Sequence, residues 1–279
     1  ASVVLVEEFD AVGSLALVRA EQMTVVAGVP AMYVAWLALS EAEAPADSFA
    51  SVRLAVSGAA ALPSEVANGF RERFGLVVHE GYGLTEASPI VTTSALGPGT
   101  PRAGSIGPPL PGVDVRLVDV DGADVLAGDP GEIWVRGPNV FPGYWRDEQA
   151  TARALTDDGW LRTGDIAVLD DDGALSLVDR SKDLVIVSGF NVYPAEVEDV
   201  LLAHPDVAET AVVGESHPRT GEAVVAFVVA EPGRTPGSDE LSAHCARSLA
   251  RYKCPARVEV VAALPRSFAG KVLRRELRS

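Results

Sequence analysis

Cysteine is nearly absent from this chain: Cys245 and Cys254 are the only two, and neither stands in a CxxC or histidine-flanked spacing. That scarcity excludes a disulfide framework and a zinc centre, and leaves two small apolar side chains. No run approaches the roughly 18 consecutive apolar residues that a bilayer span needs, and the first residues lack the basic start and small-residue cleavage site of a secretory signal. A cytoplasmic location with no integral membrane segment is expected. Positive charge is also in deficit, with a formal net charge of −16, which argues against nucleic acid or a membrane surface as a general partner. Lysine is scarcer still: only Lys182, Lys253 and Lys271 are found among twenty-three Lys and Arg residues. In a chain that favours arginine this strongly, a lysine marks a place where a compact, mobile point charge suits and a planar fork does not, unless chance put it there.

What the chain has is apolar residues, at 48% of 279, enough for one large core or two ordinary ones. Charge is unevenly spread. Between Arg247 and Arg278 nine basic residues stand against two acidic ones, Glu259 and Glu276. This tail either presents itself to something anionic or is solvated surface.

The first part alternates strand-like runs (Val3–Val6, Thr24–Ala27, Arg53–Ser57, Leu76–His79) with helix-like segments (Asp10–Glu21, Ala31–Leu39, Pro63–Phe74). Such alternation predicts a mostly parallel sheet. The chain enters almost directly into an apolar run with no initial Met, so the lobe is expected to be incomplete. From Ala95 to Val178, Gly and Pro punctuate short alternating strands with a helix near Asp147–Ala154, which predicts a β-rich subdomain. Asp170, Asp171, Asp172 and Gly173 read as a hairpin turn, not a calcium loop. After Lys182 comes a compact α+β pattern. The expected fold is thus α/β with α+β: an incomplete mostly parallel α/β lobe over 1–94, a β-rich subdomain over 95–181, and a small C-terminal α+β domain over 182–279.

Several stretches carry groups suited to chemistry. SGAAALP, Ser57 to Pro63, places Gly58, Ala59 and Ala60 where small residues allow close backbone approach at the carboxyl end of a strand. EGYGLTEASP, Glu80 to Pro89, is read as a loop in which Gly81 and Gly83 free the backbone around Tyr82, with the hydroxyl of Thr85 and the carboxylate of Glu86 close behind. An aromatic plate, a hydroxyl and an acid within five residues suit a base, a phosphate and a magnesium ion; a tight turn around a packed Tyr is the alternative. Asp165 follows a Gly at a strand entry, a position suited to accepting from vicinal hydroxyls. Asp179, Arg180, Lys182 and Asp183 form a charged connector before an apolar strand, a Ser-Gly turn and a helix opening at Pro194. Lys271 follows Gly270 in a small-residue loop near the end.

Taken together, GYGLTE (81–86), GEIWVRG (131–137), PGYW (142–145), WLRTGD (160–165), DRSKDLVIVSGFNVYPAEVE (179–198) and PRSFAGK (265–271) resemble the C-terminal half of an adenylate-forming enzyme. The superfamily is that of acyl-CoA synthetases, luciferases and peptide-synthetase adenylation domains, with fatty-acid CoA ligases the nearest group. The resemblance spans essentially the whole chain. It implies ATP, Mg2+ and CoA as cofactors, a small carboxylic acid as substrate, and a mobile C-terminal domain hinged at Lys182. It also implies roles: Tyr82 against adenine near the Gly58, Ala59 and Ala60 loop, with Gly81 and Gly83 beside it; Thr85 on the α-phosphate; Glu86 on magnesium; Asp165 on the ribose hydroxyls with Arg180 assisting. Lys271 would bridge the acyl carboxylate and the α-phosphate, and the Ser188, Gly189 and Phe190 turn would line the pantetheine channel of the second half-reaction. Three departures stand out. Ala269 replaces a small hydroxyl residue, the phosphate loop expected upstream of residue 1 is absent, and much of the acyl pocket would lie in that missing part. The chain alone is therefore expected not to complete adenylation. With no carrier domain after Ser279, a stand-alone CoA ligase is preferred over an acyl-AMP ligase that loads a carrier protein; a non-catalytic nucleotide-binding or interaction module is the remaining alternative.

Overall fold

A computed structural model describes residues 2–97, 101–102, 104–180, 183–266 and 272–278. These form two compact units, one of Ala1–Thr163 with Ala167–Leu177 and one of Gly164–Ile166 with Val178–Ser279.

In the first unit, helix α1 (Ala11–Ala20) opens where the Asp10 carboxylate accepts from the Gly13 N–H, the local bond that makes Asp a preferred cap. Strands β1 (Val25–Gly28), β2 (Leu54–Ser57) and β3 (Val78–Gly83) alternate with α2 (Pro30–Ala38) and α3 (Ser64–Phe74). The three strands pair in parallel, and β4 (Ile90–Thr93) adds to β3 antiparallel. Tyr33 and Trp36 of α2 are buried against Phe49 and Phe70 in edge-to-face contacts, an arrangement that adds to their burial. These aromatics are core.

Two expectations fail here. Val3–Val6 forms no strand, and Val3 and Leu5 are 80% and 89% exposed; β-branched residues make a strand only where a neighbour takes their hydrogen bonds. The predicted strand Leu76–His79 and the loop after it are also redrawn, because β3 continues through Gly83 and pairs Gly81 with Thr93. A Cβ at Gly83 would lie 1.8 Å from the Pro89 carbonyl oxygen, so only glycine lets the chain return this closely.

A second sheet has the order β5 (Asp114–Val118), β6 (Pro130–Arg136), β7 (Leu161–Leu169), β8 (Leu175–Arg180), with α4 (Glu148–Ala154) between β6 and β7. The acidic run at 170–173 is a turn as predicted: Asp170 Oδ1 accepts from the Asp172 and Ala174 N–H groups.

The second unit is built on β9 (Val185–Val187), β10 (Phe190–Val192), α5 (Pro194–Leu202), β11 (Val207–His217), β12 (Gly221–Ala230), α6 (Ser238–Ser248) and β13 (Arg257–Val260). Its sheet runs β10-β9-β12-β11, with β13 parallel to β12. Strand β12 is apolar nearly throughout because both faces are covered. Val224, Ala226 and Val228 pack beneath Val197, Leu201, Leu241 and Cys245, while Val225 and Phe227 pack with Ala211, Val213 and Leu264 on the other side. Helix α6 stops at Ser248, since Leu249 turns extended and enters the core.

Candidate nucleotide and thiol sites

In the first unit, parallel pairing of Ser57 with Glu80 sets the loop after β2 beside the end of β3. Gly58 donates to the Gly28 carbonyl at 3.1 Å, and a Cβ on it would lie 3.5 Å from the Gly81 oxygen. Ala59 has φ 70°. Gly58 therefore adjoins Gly81, with Ala59 and Ala60 following it in the same loop. Glu80, missed in the sequence, braces this corner: its carboxylate accepts from the Leu62 N–H at 3.0 Å. Burial raises its pKa, and the N–H groups of Leu62 and Gly104 offset only part of the rise. Tyr82 is 7% exposed and belongs to the core around Val91 and Ile133, so only a small part of the ring is offered to a ligand.

Thr85 and Glu86 lie in a 3-10 turn, Thr85–Ala87. Thr85 is exposed. The loop following β6 clamps this turn from a distance in sequence. Asn139 Nδ2 donates to the carbonyls of Ala87 (3.0 Å) and Ile90 (2.9 Å), the Phe141 N–H donates to the Glu86 carbonyl (2.8 Å), and the Tyr144 hydroxyl donates to Glu86 Oε1 (2.7 Å). The bond to Glu86 holds the Tyr144 phenol above its usual pKa, so it remains a donor. Tyr144 carried no signal of this role beyond its place in PGYW, and Asn139 lies outside every motif named in the sequence. Among the described residues no group of three or more His, Cys, Asp and Glu side chains is placed to hold a metal ion. A single oriented carboxylate suits magnesium, which keeps most of its waters and takes the rest of its ligands from substrate phosphates.

In the second unit, Asp165 and Arg180 come together, with Nε 3.3 Å from Oδ1. Within the charged connector, Asp179 Oδ2 accepts from the Ala195 N–H at 2.9 Å and caps α5. Lys182 and Lys271 lie outside the described residues. The remaining lysine, Lys253, bonds both oxygens of Glu196 at 2.7 Å. Ser188 (φ 53°) and Gly189 (φ 84°) form the two-residue turn between β9 and β10, the conformation that suits a right-twisted hairpin. Phe190, 56% exposed, stacks on Tyr252 with ring centroids 4.8 Å apart.

The basic tail is largely spoken for within this unit. Arg257 meets Glu215, Arg266 meets Glu209, Arg274 meets Glu198 and Arg278 meets Asp183. Acidic side chains on α5 and β11, together with Asp183, thus engage four of the tail's arginines, which therefore neither await an external anion nor serve only as solvated surface.

Residues 1–145 match the family model described as AMP-binding enzyme, and 196–271 match its companion, the AMP-binding enzyme C-terminal domain. The chain is 50% identical over 236 residues to a long-chain-fatty-acid–CoA ligase from Yersinia pestis, covering 82% of this chain and 40% of that protein. It is 42% identical over 277 residues to a feruloyl-CoA synthase from Amycolatopsis sp, covering 99% of this chain and 56% of that one. Among solved structures, ATP-bound MatB from Rhodopseudomonas palustris superposes with a TM-score of 0.90 at 37% identity, covering 98% of this chain and 54% of that one. The o-succinylbenzoate CoA synthetase MenE from Bacillus subtilis, in complex with its acyl-adenylate intermediate, gives 0.81 at 33% identity, covering 96% and 54%.

Proposed function

Since the chain belongs to the AMP-binding enzyme family, we propose that it forms part of an ATP-dependent ligase that converts a fatty acid to acyl-AMP and passes the acyl group to CoA. The observation that carries this reading is the clamp on the Thr85–Ala87 turn, which fixes an exposed hydroxyl and a carboxylate one residue apart. The fatty acyl specificity is supported by the likeness to the Yersinia pestis ligase. The likeness to feruloyl-CoA synthase covers nearly the whole chain and favours an aromatic acid as the second reading.

In the first half-reaction a carboxylate oxygen attacks the α-phosphorus of ATP and the bond to pyrophosphate breaks. Two anions meet, so cationic and donor groups must stand where charge accumulates. Thr85 would hold the α-phosphate, Asp165 and Arg180 the ribose, the Gly58, Ala59 and Ala60 corner with Gly81, Tyr82 and Gly83 the adenine, and Lys271 the reacting oxygens. Glu86 would hold magnesium, which when bound neutralises charge on the phosphates. In the second half-reaction the CoA sulfur attacks the acyl carbon and expels AMP, with the Ser188, Gly189 and Phe190 turn lining the thiol's approach. A domain rotation about Lys182 would exchange Lys271 for that turn, a motion of the kind that gates turnover in many enzymes.

The test uses the whole protein. Lys271→Ala is expected to lower acid-dependent pyrophosphate exchange on the order of 10²–10³-fold, with little change in thioester formation from supplied acyl-adenylate. Equal loss in both steps removes Lys271 from the adenylation role. Exchange with a panel of fatty and aromatic acids separates the two substrate readings, and offering CoA or a carrier protein identifies the acceptor.

A further inference from the structure

Among the described residues, the hairpin of β9 and β10 is tied to β12 by strand pairing at one position, Val187 with Gly221. A second tie comes from a side chain: Glu222 Oε2 accepts from the Ile186 N–H at 2.6 Å, a charge-assisted bond stronger than an ordinary ladder bond. The turn before β12 adds a third, because the Ser188 N–H donates to the Thr220 carbonyl at 2.8 Å. That turn is itself fixed. Thr220 Oγ1 donates to the Glu222 carbonyl at 2.7 Å and lies 2.7 Å from His217 Nδ1. With its one hydrogen on the carbonyl, the hydroxyl accepts from an Nδ1-protonated His217.

Strand β11 leaves space for this arrangement. A Cβ on Gly214 would lie 2.8 Å from Glu222 Oε1 and 3.1 Å from Val185 Cγ1, so a side chain there would push the carboxylate off the hairpin. At the tip the reverse holds, since a Cβ on Gly189 would meet nothing within 4 Å. The tip is open, and its aim is set from behind by residues 214–222.

We infer that Glu222 is a positioning residue for the thiol-transfer half-reaction, holding the Ser188–Gly189 turn in register through the Ile186 amide. The inference rests on the reading of that turn given above. A purely structural role for Glu222 would lower both half-reactions together or neither, whereas a role in aiming the turn separates them.

The experiment compares Glu222→Ala, Glu222→Gln and Gly189→Leu in the whole protein, assaying pyrophosphate exchange and thioester formation from supplied acyl-adenylate and CoA. Glu222→Ala is expected to slow thioester formation by on the order of 10- to 10²-fold, the scale of a misplacement near 1 Å, with exchange unchanged. Amide hydrogen exchange at Ile186 and Ser188 should quicken in the same variant. Glu222→Gln keeps an acceptor oxygen and is expected to recover most of the rate. Should Glu222→Ala not fold, Gly214→Ala displaces the carboxylate without removing it, and the same split is expected. Unchanged thioester formation, or equal loss in both steps, overturns the inference. Gly189→Leu tests the underlying reading: if it leaves thioester formation intact, the turn does not serve the thiol and both ideas fall. If it blocks that step while Glu222→Ala does not, only the role of Glu222 falls.

Discussion

Glu80 and Tyr144 show how single side chains with no obvious chemistry of their own govern the residues that have it. Burial raises the Glu80 pKa, so the folded protein binds this proton more tightly than the unfolded chain does. Its contribution to stability is full below the ordinary value of 4.5 and is lost as the pH rises through the higher folded value. Glu80→Gln keeps an acceptor for the Leu62 N–H and removes the titration. The variant is expected to be more resistant to urea than the parent at neutral pH, with a flatter dependence of stability on pH. Tyr144→Phe deletes the donor to Glu86 Oε1 while conserving the ring that packs edge-on against Phe141. It should leave thermal unfolding almost unchanged but raise the magnesium needed for pyrophosphate exchange by about 10- to 100-fold, the usual effect of losing an outer-shell partner. A magnesium titration identical to the parent's would count against Glu86 as a ligand oriented by Tyr144.

At the level of elements, α5 gathers contacts from across the second unit. Asp179 caps its first turn, Lys253 takes Glu196, and Glu198 accepts from both Arg274 and the Val212 N–H. Glu196 and Glu198, both near the start of the helix, are thus each used by a neighbour far along the chain. Burial pushes the Glu198 carboxyl up despite Arg274 beside it, so the pair exists at a desolvation cost. Arg274→Ala would strand a carboxylate that is only 13% exposed, and a loss of up to about 3 kcal/mol in unfolding free energy is expected, somewhat below the fully buried range. The double variant with Glu198→Gln should recover much of that loss, because the buried charge is gone. Chemical denaturation of the four proteins in the cycle measures it.

For the whole molecule, the second unit has a sheet with apolar cover on both faces, which is what an independently stable domain requires. Residues 178–279 expressed alone are expected to unfold in one cooperative transition, with fluorescence and circular dichroism midpoints coinciding; separate midpoints would show that this unit leans on the rest of the chain. The sequence itself determined the order of the elements, the motif residues and the chemical classes available at each turn, because periods of 2 and 3.6 and the demands of Gly, Pro and Asp act over a few neighbouring residues. Tertiary structure alone decided which of those groups stay available and which are engaged. Tyr144 reaches Glu86 across 58 residues of chain, Arg274 reaches Glu198 across 76, and Arg278 reaches Asp183 across 95. It also ended the apparent strand at Val3–Val6, whose apolar pattern found no partner among the described residues. Local pattern carries no information about pairings at such separations, since they form only when packed cores bring distant elements within hydrogen-bonding reach.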